Sequence, residues 1–180
     1  MNAMAQHCDS FPVRLDVVIR PCREADLPAL EWFGLFAPHR QMIRRVFEQQ
    51  RRGEALMLVV EANGEASGQL WVHLRTGDED GQQVGEIWAV RVMPCLQRRG
   101  IGTRLVAVAE DLLRERGFAR AQLRVETDNP AARRLYERLG YALAGTAAAN
   151  DGPGADDDSR TQWVLAKTLL PAATSMERAR

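Results

Sequence analysis

Apolar and polar positions along the chain follow two rhythms. In the first half, short apolar runs alternate with turn residues. The run LDVVIR (15–20) predicts a strand that stops at Pro21. Leu27, Leu30, Phe33 and Leu35 predict a short helix between Asp26 and Phe36. In HRQMIRRVFEQQRR, Met42, Val46 and Phe47 share a helical face, and Gly53 ends that helix. Three strand-like runs follow: ALMLVVEA (55–62), SGQLWVHL (67–74) and GEIWAVRV (85–92). Asn63-Gly64 is a hairpin turn, and 77–83 is a polar turn, so the three runs predict an antiparallel meander.

After Pro94 the period changes. Leu105, Val108, Ala109 and Leu112 recur at helical spacing between Gly102 and Arg116, with Gly117 at the C′ position. ARAQLRV (119–125) is a strand, which makes strand–helix–strand and predicts a parallel pair with a right-handed crossover. NPAARRLYERLG (129–140) is a helix with Asn129 as N-cap and Pro130 at its first position. YALAG (141–145) is a short strand, 147–159 a polar loop and TQWVLAKTL (161–169) the last strand. The fold class is therefore α+β, a central mixed sheet with flanking helices, meander first and βαβ second. Residues 15–170 form the domain, between an N-terminal tail (1–14) and a C-terminal tail (171–180).

Composition narrows the function. The chain has 180 residues, enough for one domain with a core. Lys+Arg and Asp+Glu are both 24, so no net charge draws the chain to nucleic acid. The basic residues are arginines except Lys167. Cys8, Cys22 and Cys95 have neither disulfide nor metal-ligand spacing, which favours a reduced, cytoplasmic setting. No apolar run nears the roughly 18 residues that cross a bilayer, so no membrane partner is expected.

Candidate chemistry centres on QRRGIGT (97–103). A helix that opens at this turn presents amides without intrahelical partners, and with the helix dipole they favour an anion. Gly100 and Gly102 let a bulky phosphate approach the backbone, and Arg98, Arg99 and Arg104 add positive charge. The turn lacks GxxxxGK[ST] and GxGxxG spacing, so it is neither a nucleotide-triphosphatase loop nor a dinucleotide fingerprint.

The flanks WAVRVMPCLQRRGIGTRLVAVAEDLL and LRVETDNPAARRLYERLGY resemble the two central motifs of the GNAT (GCN5-related N-acetyltransferase) superfamily. The first runs from a strand through Q/R-x-x-G-x-G/A into a long helix. The second has a helix-starting asparagine, an internal tyrosine and an LG[YF] end. The resemblance covers roughly 17–170. It implies acetyl-CoA as co-substrate, with its pyrophosphate on the backbone of Gln97, Arg98, Arg99, Gly100, Ile101, Gly102 and Thr103. It also implies a pantetheine arm along Val90 and Val92, where two parallel strands splay, and a further contact from Asn129. The implied activity is direct acetyl transfer to a primary amine of a small molecule or peptide. A non-catalytic acetyl-CoA sensor is the alternative, and a homodimer stays open.

Two side chains are candidates for moving protons. Strict alternation places Glu86 on one face with Trp88, Val90 and Val92. An apolar cleft there raises a carboxylate toward useful base strength. Glu86 reads either as that base, resembling the glutamate of the superfamily's histone acetyltransferases, or as a solvated strand residue. Tyr136 shares a helical face with Ala132 and Leu139. By resemblance it sits beside the coenzyme sulfur as an acid; otherwise it is a half-buried aromatic. Cys95 and His39 receive no role. His73 shares a face with Trp71, lining a cleft or facing water. The arginines at 40–52 suit a carboxylate on the acceptor and the late Asp loop suits a cation, so these two hints oppose each other.

Overall fold

The computed structural model describes residues 14–75, 83–148 and 161–169. Seven strands form one sheet: β1 (Val17–Pro21), β2 (Ala55–Ala62), β3 (Glu65–Arg75), β4 (Val84–Val92), β5 (Arg120–Glu126), β6 (Ala142–Ala148) and β7 (Thr161–Thr168). Their spatial order is β1-β2-β3-β4-β5-β7-β6. β1 to β4 are an antiparallel meander, β4 and β5 are parallel, and β7 inserts antiparallel between β5 and β6. The mixed sheet expected from the sequence is thus present.

Three α-helices flank it: α1 (Arg40–Arg51), α2 (Ile101–Glu115) and α3 (Pro130–Arg138). On one face Leu105, Ala109 and Leu113 of α2 and Tyr136 of α3 pack with Leu70, Val72 and Ile87. On the other face Ile43, Val46 and Phe47 of α1 pack with Met57, Val59 and Trp71. The helical stripes and the two-sided burial of β2 account for both layers. Gly85 leaves β4 without a side chain where Leu113 lies on it.

The chain departs from the expected pattern in two places that shape the site. No helix spans Asp26 to Phe36. Two 3-10 turns, Glu24–Asp26 and Ala29–Glu31, are followed by Trp32, Phe33 and Gly34, all at positive φ (41°, 56° and 91°). Gly34 favours the reversal. Apolar spacing alone misread this segment.

The second departure is in β4. The β3–β4 register shifts between Gln69 and Trp71, and Ala89 has φ 51°. The extra residue flips the alternation. Trp88 packs with the α1-side cluster, while Val90 and Val92 pack with the α2-side cluster. Glu86 therefore shares a face with Trp88 but not with Val90 and Val92. Smaller differences are that α2 opens at Ile101, one residue before Gly102, and β6 runs on to Ala148. The expected loop from residue 149 on, the turn over 76–82 and both tails lie outside the described residues, apart from Arg14, which precedes β1.

Candidate active site

β4 and β5 pair only from Val84↔Arg120 to Ile87↔Leu123. Beyond that point β4 continues to Val92 and β5 to Glu126 without pairing to each other. The parallel strands part beyond Ile87 and Leu123. The bulge at Ala89 sits at the start of the parting and bends β4 there.

The glycine-rich turn stands at the open end. The short 3-10 turn Pro94–Leu96 leads from β4 into it, and the Gln97 side chain donates to the Val92 carbonyl at 2.9 Å. Arg98 and Gly100 are left-handed (φ 58° and 78°), which turns the chain into α2. Gly100 is the N-cap and has no side chain to cap with. The first intrahelical donor is the Arg104 amide to the Gly100 carbonyl, 3.0 Å. The amides of Ile101, Gly102 and Thr103 precede it and have no partner within the helix.

Gly102 is informative. A Cβ there would meet nothing within 4 Å, so no protein neighbour demands glycine. Glycine gives up helix propensity even in this first turn. That cost is explained if a ligand must come close to the backbone. Beside the turn a groove of about 600 Å³ is lined by Val17, Val18, Arg99, Arg104 and Val108. A larger recess, about 710 Å³, lies between the 3-10 turns and α1, lined by Leu27, Glu31, Arg44 and Phe47 among others. None of the residues predicted for the reaction borders it.

Glu86 lies just before the strands part, and it is not in an apolar cleft. It is 2% exposed, and its Oε1 stands 2.9 Å from Arg124 Nε of β5. Arg75 lies 3.6 Å from Oε2. The Arg124 contact is an ion pair by distance, but neither atom has a well-directed hydrogen bond. Directly opposite Glu86 are His73 on β3 and Gln122 on β5. His73 thus lines the same face as Glu86 and Trp71, and Trp71 meets Trp88 edge to face at 4.7 Å between centroids. The sequence reading missed Arg124 and Arg75. The signal lay in the register: Arg124 follows by two the residue that a parallel pair sets beside Glu86.

Tyr136 approaches from the opposite face. It is 8% exposed, packed edge to face on Tyr141 at 5.9 Å. Burial pushes its phenol up to about 12. It therefore keeps its proton at neutral pH. α3 is fixed by Asn129, whose side-chain oxygen accepts from the Ala132 amide at 3.0 Å. The other cysteine among the described residues besides Cys95 is Cys22, a buried thiol pushed up to about 12 by desolvation. It is a poor nucleophile. Cys95 is exposed beside the turn.

The mixed sheet's central parallel strands thus part beside a glycine-opened helix and leave a cleft at its head. The Acetyltransferase (GNAT) family model matches residues 23–141, and the chain belongs to that family. Among curated relatives, it is 30% identical over 95 residues to the mycothiol acetyltransferase of Renibacterium salmoninarum, covering 53% of this chain and 28% of that protein. To the mycothiol acetyltransferase of Cellulomonas flavigena it is 34% identical over 121 residues, 64% of this chain and 35% of that protein. The chain thus spans about a third or less of these relatives. Among solved structures, Arabidopsis thaliana NAA60 in complex with a bisubstrate analogue superposes with TM-score 0.68 at 14% identity, over 87% of this chain and 100% of that one. The RimL ribosomal L7/L12 α-N-protein acetyltransferase in complex with coenzyme A gives TM-score 0.69 at 17% identity, over 88% and 97%. These likenesses show the fold.

Proposed function

We propose that the protein is an acetyl-CoA-dependent N-acetyltransferase that moves an acetyl group directly to a primary amine of a small molecule or peptide. The observation that carries this is the parting of β4 and β5 next to an α2 start whose first amides have no partner within the helix and whose Gly102 faces open space. Such a cleft fits a pantetheine arm between the strands and a pyrophosphate on the turn. Gln97, Arg98, Arg99, Gly100, Ile101, Gly102 and Thr103 would hold the pyrophosphate, Val90 and Val92 the arm, and Asn129 a further contact. NAA60 and RimL, whose structures hold a bisubstrate analogue and coenzyme A, support the reading.

In the transfer, the amine nitrogen attacks the thioester carbonyl, a C–N bond forms and the C–S bond breaks. The amine must lose one proton and the departing sulfur must gain one. Glu86, with its charge balanced by Arg124 and Arg75, takes the amine proton through water. Tyr136 donates a hydrogen bond to the departing sulfur, which leaves as a thiolate and takes its proton from water. Full proton transfer from a phenol near 12 to a thiolate whose acid is near 8.5 is uphill by about 3–4 units, so stabilisation rather than transfer is its role. A cytoplasmic protein without nucleic-acid or membrane partners remains the accompanying expectation.

An amine panel incubated with acetyl-CoA, read by free-thiol release and by product mass, tests the activity. One acetylated amine per thiol supports it. Tight acetyl-CoA binding with no thiol release across the panel would establish the sensor reading instead.

A further inference from the structure

Tyr141 lies just past the end of α3 and is buried. With Tyr136 it accounts for both tyrosines of the chain. Its ring meets the Tyr136 ring edge to face, with 72° between the planes. The backbones are joined as well, since the Tyr141 amide donates to the Tyr136 carbonyl at 3.0 Å. Tyr141 is therefore part of the wall on which the Tyr136 phenol rests.

Charged groups hold the same ring. Glu110 of α2 is buried, and its Oε2 accepts from Lys167 Nζ of β7 at 2.7 Å and from Arg114 of α2 at 3.1 Å. The Lys167 ammonium stands over the Tyr141 ring, 5.6 Å from its centroid. The Tyr141 hydroxyl has no well-directed hydrogen bond; burial first, and then the Glu110 carboxylate, push its phenol above the ordinary value. Apolar residues of similar volume often stabilise as well as a buried ion pair does. What this pair adds is direction: it ties α2, which opens at the glycine-rich turn, to β7 beside the ring that supports Tyr136.

We propose that Tyr141, clamped by the Glu110–Lys167 pair, is a positioning residue that sets the direction of the Tyr136 hydroxyl. It touches no reacting atom and acts through Tyr136. The inference rests on the acetyltransferase reading for its effect on rate, but not for its effect on the Tyr136 ring.

The test compares wild type with Tyr141→Leu, which removes the ring, and Tyr141→Phe, which removes only the hydroxyl. Tyr136 is the one tyrosine left in both variants, so tyrosinate absorbance reads it alone. The charged groups around the Tyr141 ring, Glu110 and Arg114 of α2 and Lys167 of β7, are unchanged in both. A phenol near 12 is about one-tenth ionised at pH 11, and one near the ordinary 10 is about nine-tenths ionised. Tyr141→Phe should show the low fraction and Tyr141→Leu a fraction at least about threefold higher, with circular dichroism confirming the fold at that pH. Single-turnover acetyl transfer at neutral pH should slow at least about tenfold in Tyr141→Leu and recover to within about threefold of wild type in Tyr141→Phe. Acetyl-CoA affinity by calorimetry should stay within about twofold in both. Tyr141→Met serves if the leucine variant does not fold. A raised ionised fraction in a protein whose wild type transfers no acetyl group supports the positioning and overturns the proposed activity. An unchanged fraction, a wild-type rate in Tyr141→Leu, an equally slow Tyr141→Phe, or an affinity that falls as far as the rate overturns the positioning and leaves Tyr141 to packing.

Discussion

Glu86 and Arg124 face each other across adjacent parallel strands, 2.9 Å from carboxylate oxygen to guanidinium nitrogen, one residue before those strands part. The pair places a buried negative charge at the root of the cleft and balances it there. In the proposed reaction this carboxylate takes the amine proton through water.

Glu86→Gln keeps the shape and removes the charge. It leaves Arg124 without its carboxylate, so stability should fall as well as turnover. Turnover should drop by about a hundredfold, most at low pH where free amine is scarce. The pH–rate profile, with acetyl-CoA affinity as control, checks this. A profile that overlays wild type removes Glu86 from the proton path.

Tyr136→Phe removes one hydroxyl from a packed ring. Single-turnover acetyl transfer should slow by about tenfold to a thousandfold, with coenzyme affinity nearly unchanged. The same hydroxyl has a stability signature. Its folded value lies near 12, above the ordinary 10, so its contribution is fully present below pH 10 and lost as pH rises toward 12. The loss is about 2–3 kcal/mol by that point. Urea unfolding at pH 9, 10 and 11.5 should show a shallower decline in Tyr136→Phe than in wild type.

Gly102→Val adds side-chain atoms that project into open space, so the fold should hold. The approach to the α2 amides narrows. Acetyl-CoA affinity should fall by about tenfold or more, equivalent to about 1.4 kcal/mol per decade. Unchanged affinity in a folded variant removes the pyrophosphate from this turn.

Arg20 of β1 holds Asp26 through two contacts of 2.7 and 2.8 Å and Glu61 of β2 through a third of 2.8 Å. This ties the first 3-10 turn to the sheet. The guanidinium keeps the Asp26 carboxyl below its usual range. Its stabilisation is therefore present above the ordinary carboxylate value and is lost as pH falls through the lowered one. Asp26→Asn should cost about 1.5–3 kcal/mol at neutral pH, and acid unfolding of the variant should be less steep.

Periodicity carried most of the fold. The meander, the crossover and both motif helices follow from apolar spacing, Asn63-Gly64, Asn129-Pro130 and Gly117. Two features were not legible. Ala89 adopts a left-handed bulge that no alanine signals, and it separates Glu86 from Val90 and Val92. Trp32 and Phe33 take conformations that aromatic residues avoid, so the spacing of Leu27, Leu30 and Phe33 imitated a helix. For the site, the turn and Tyr136 were readable as motifs. Arg124 was not, because its contact with Glu86 comes from cross-strand register.

Direct transfer between two bound substrates passes no acetyl group through the protein. Rapid-quench intact-mass spectrometry of the protein with acetyl-CoA, before and after an accepted amine is added, tests it most directly. Direct transfer leaves the protein unmodified at every time point, with acetylated amine appearing in step with free coenzyme thiol. An acetylated protein that forms before amine is added and discharges when it arrives, with Cys95 as the exposed candidate beside the turn, would contradict it.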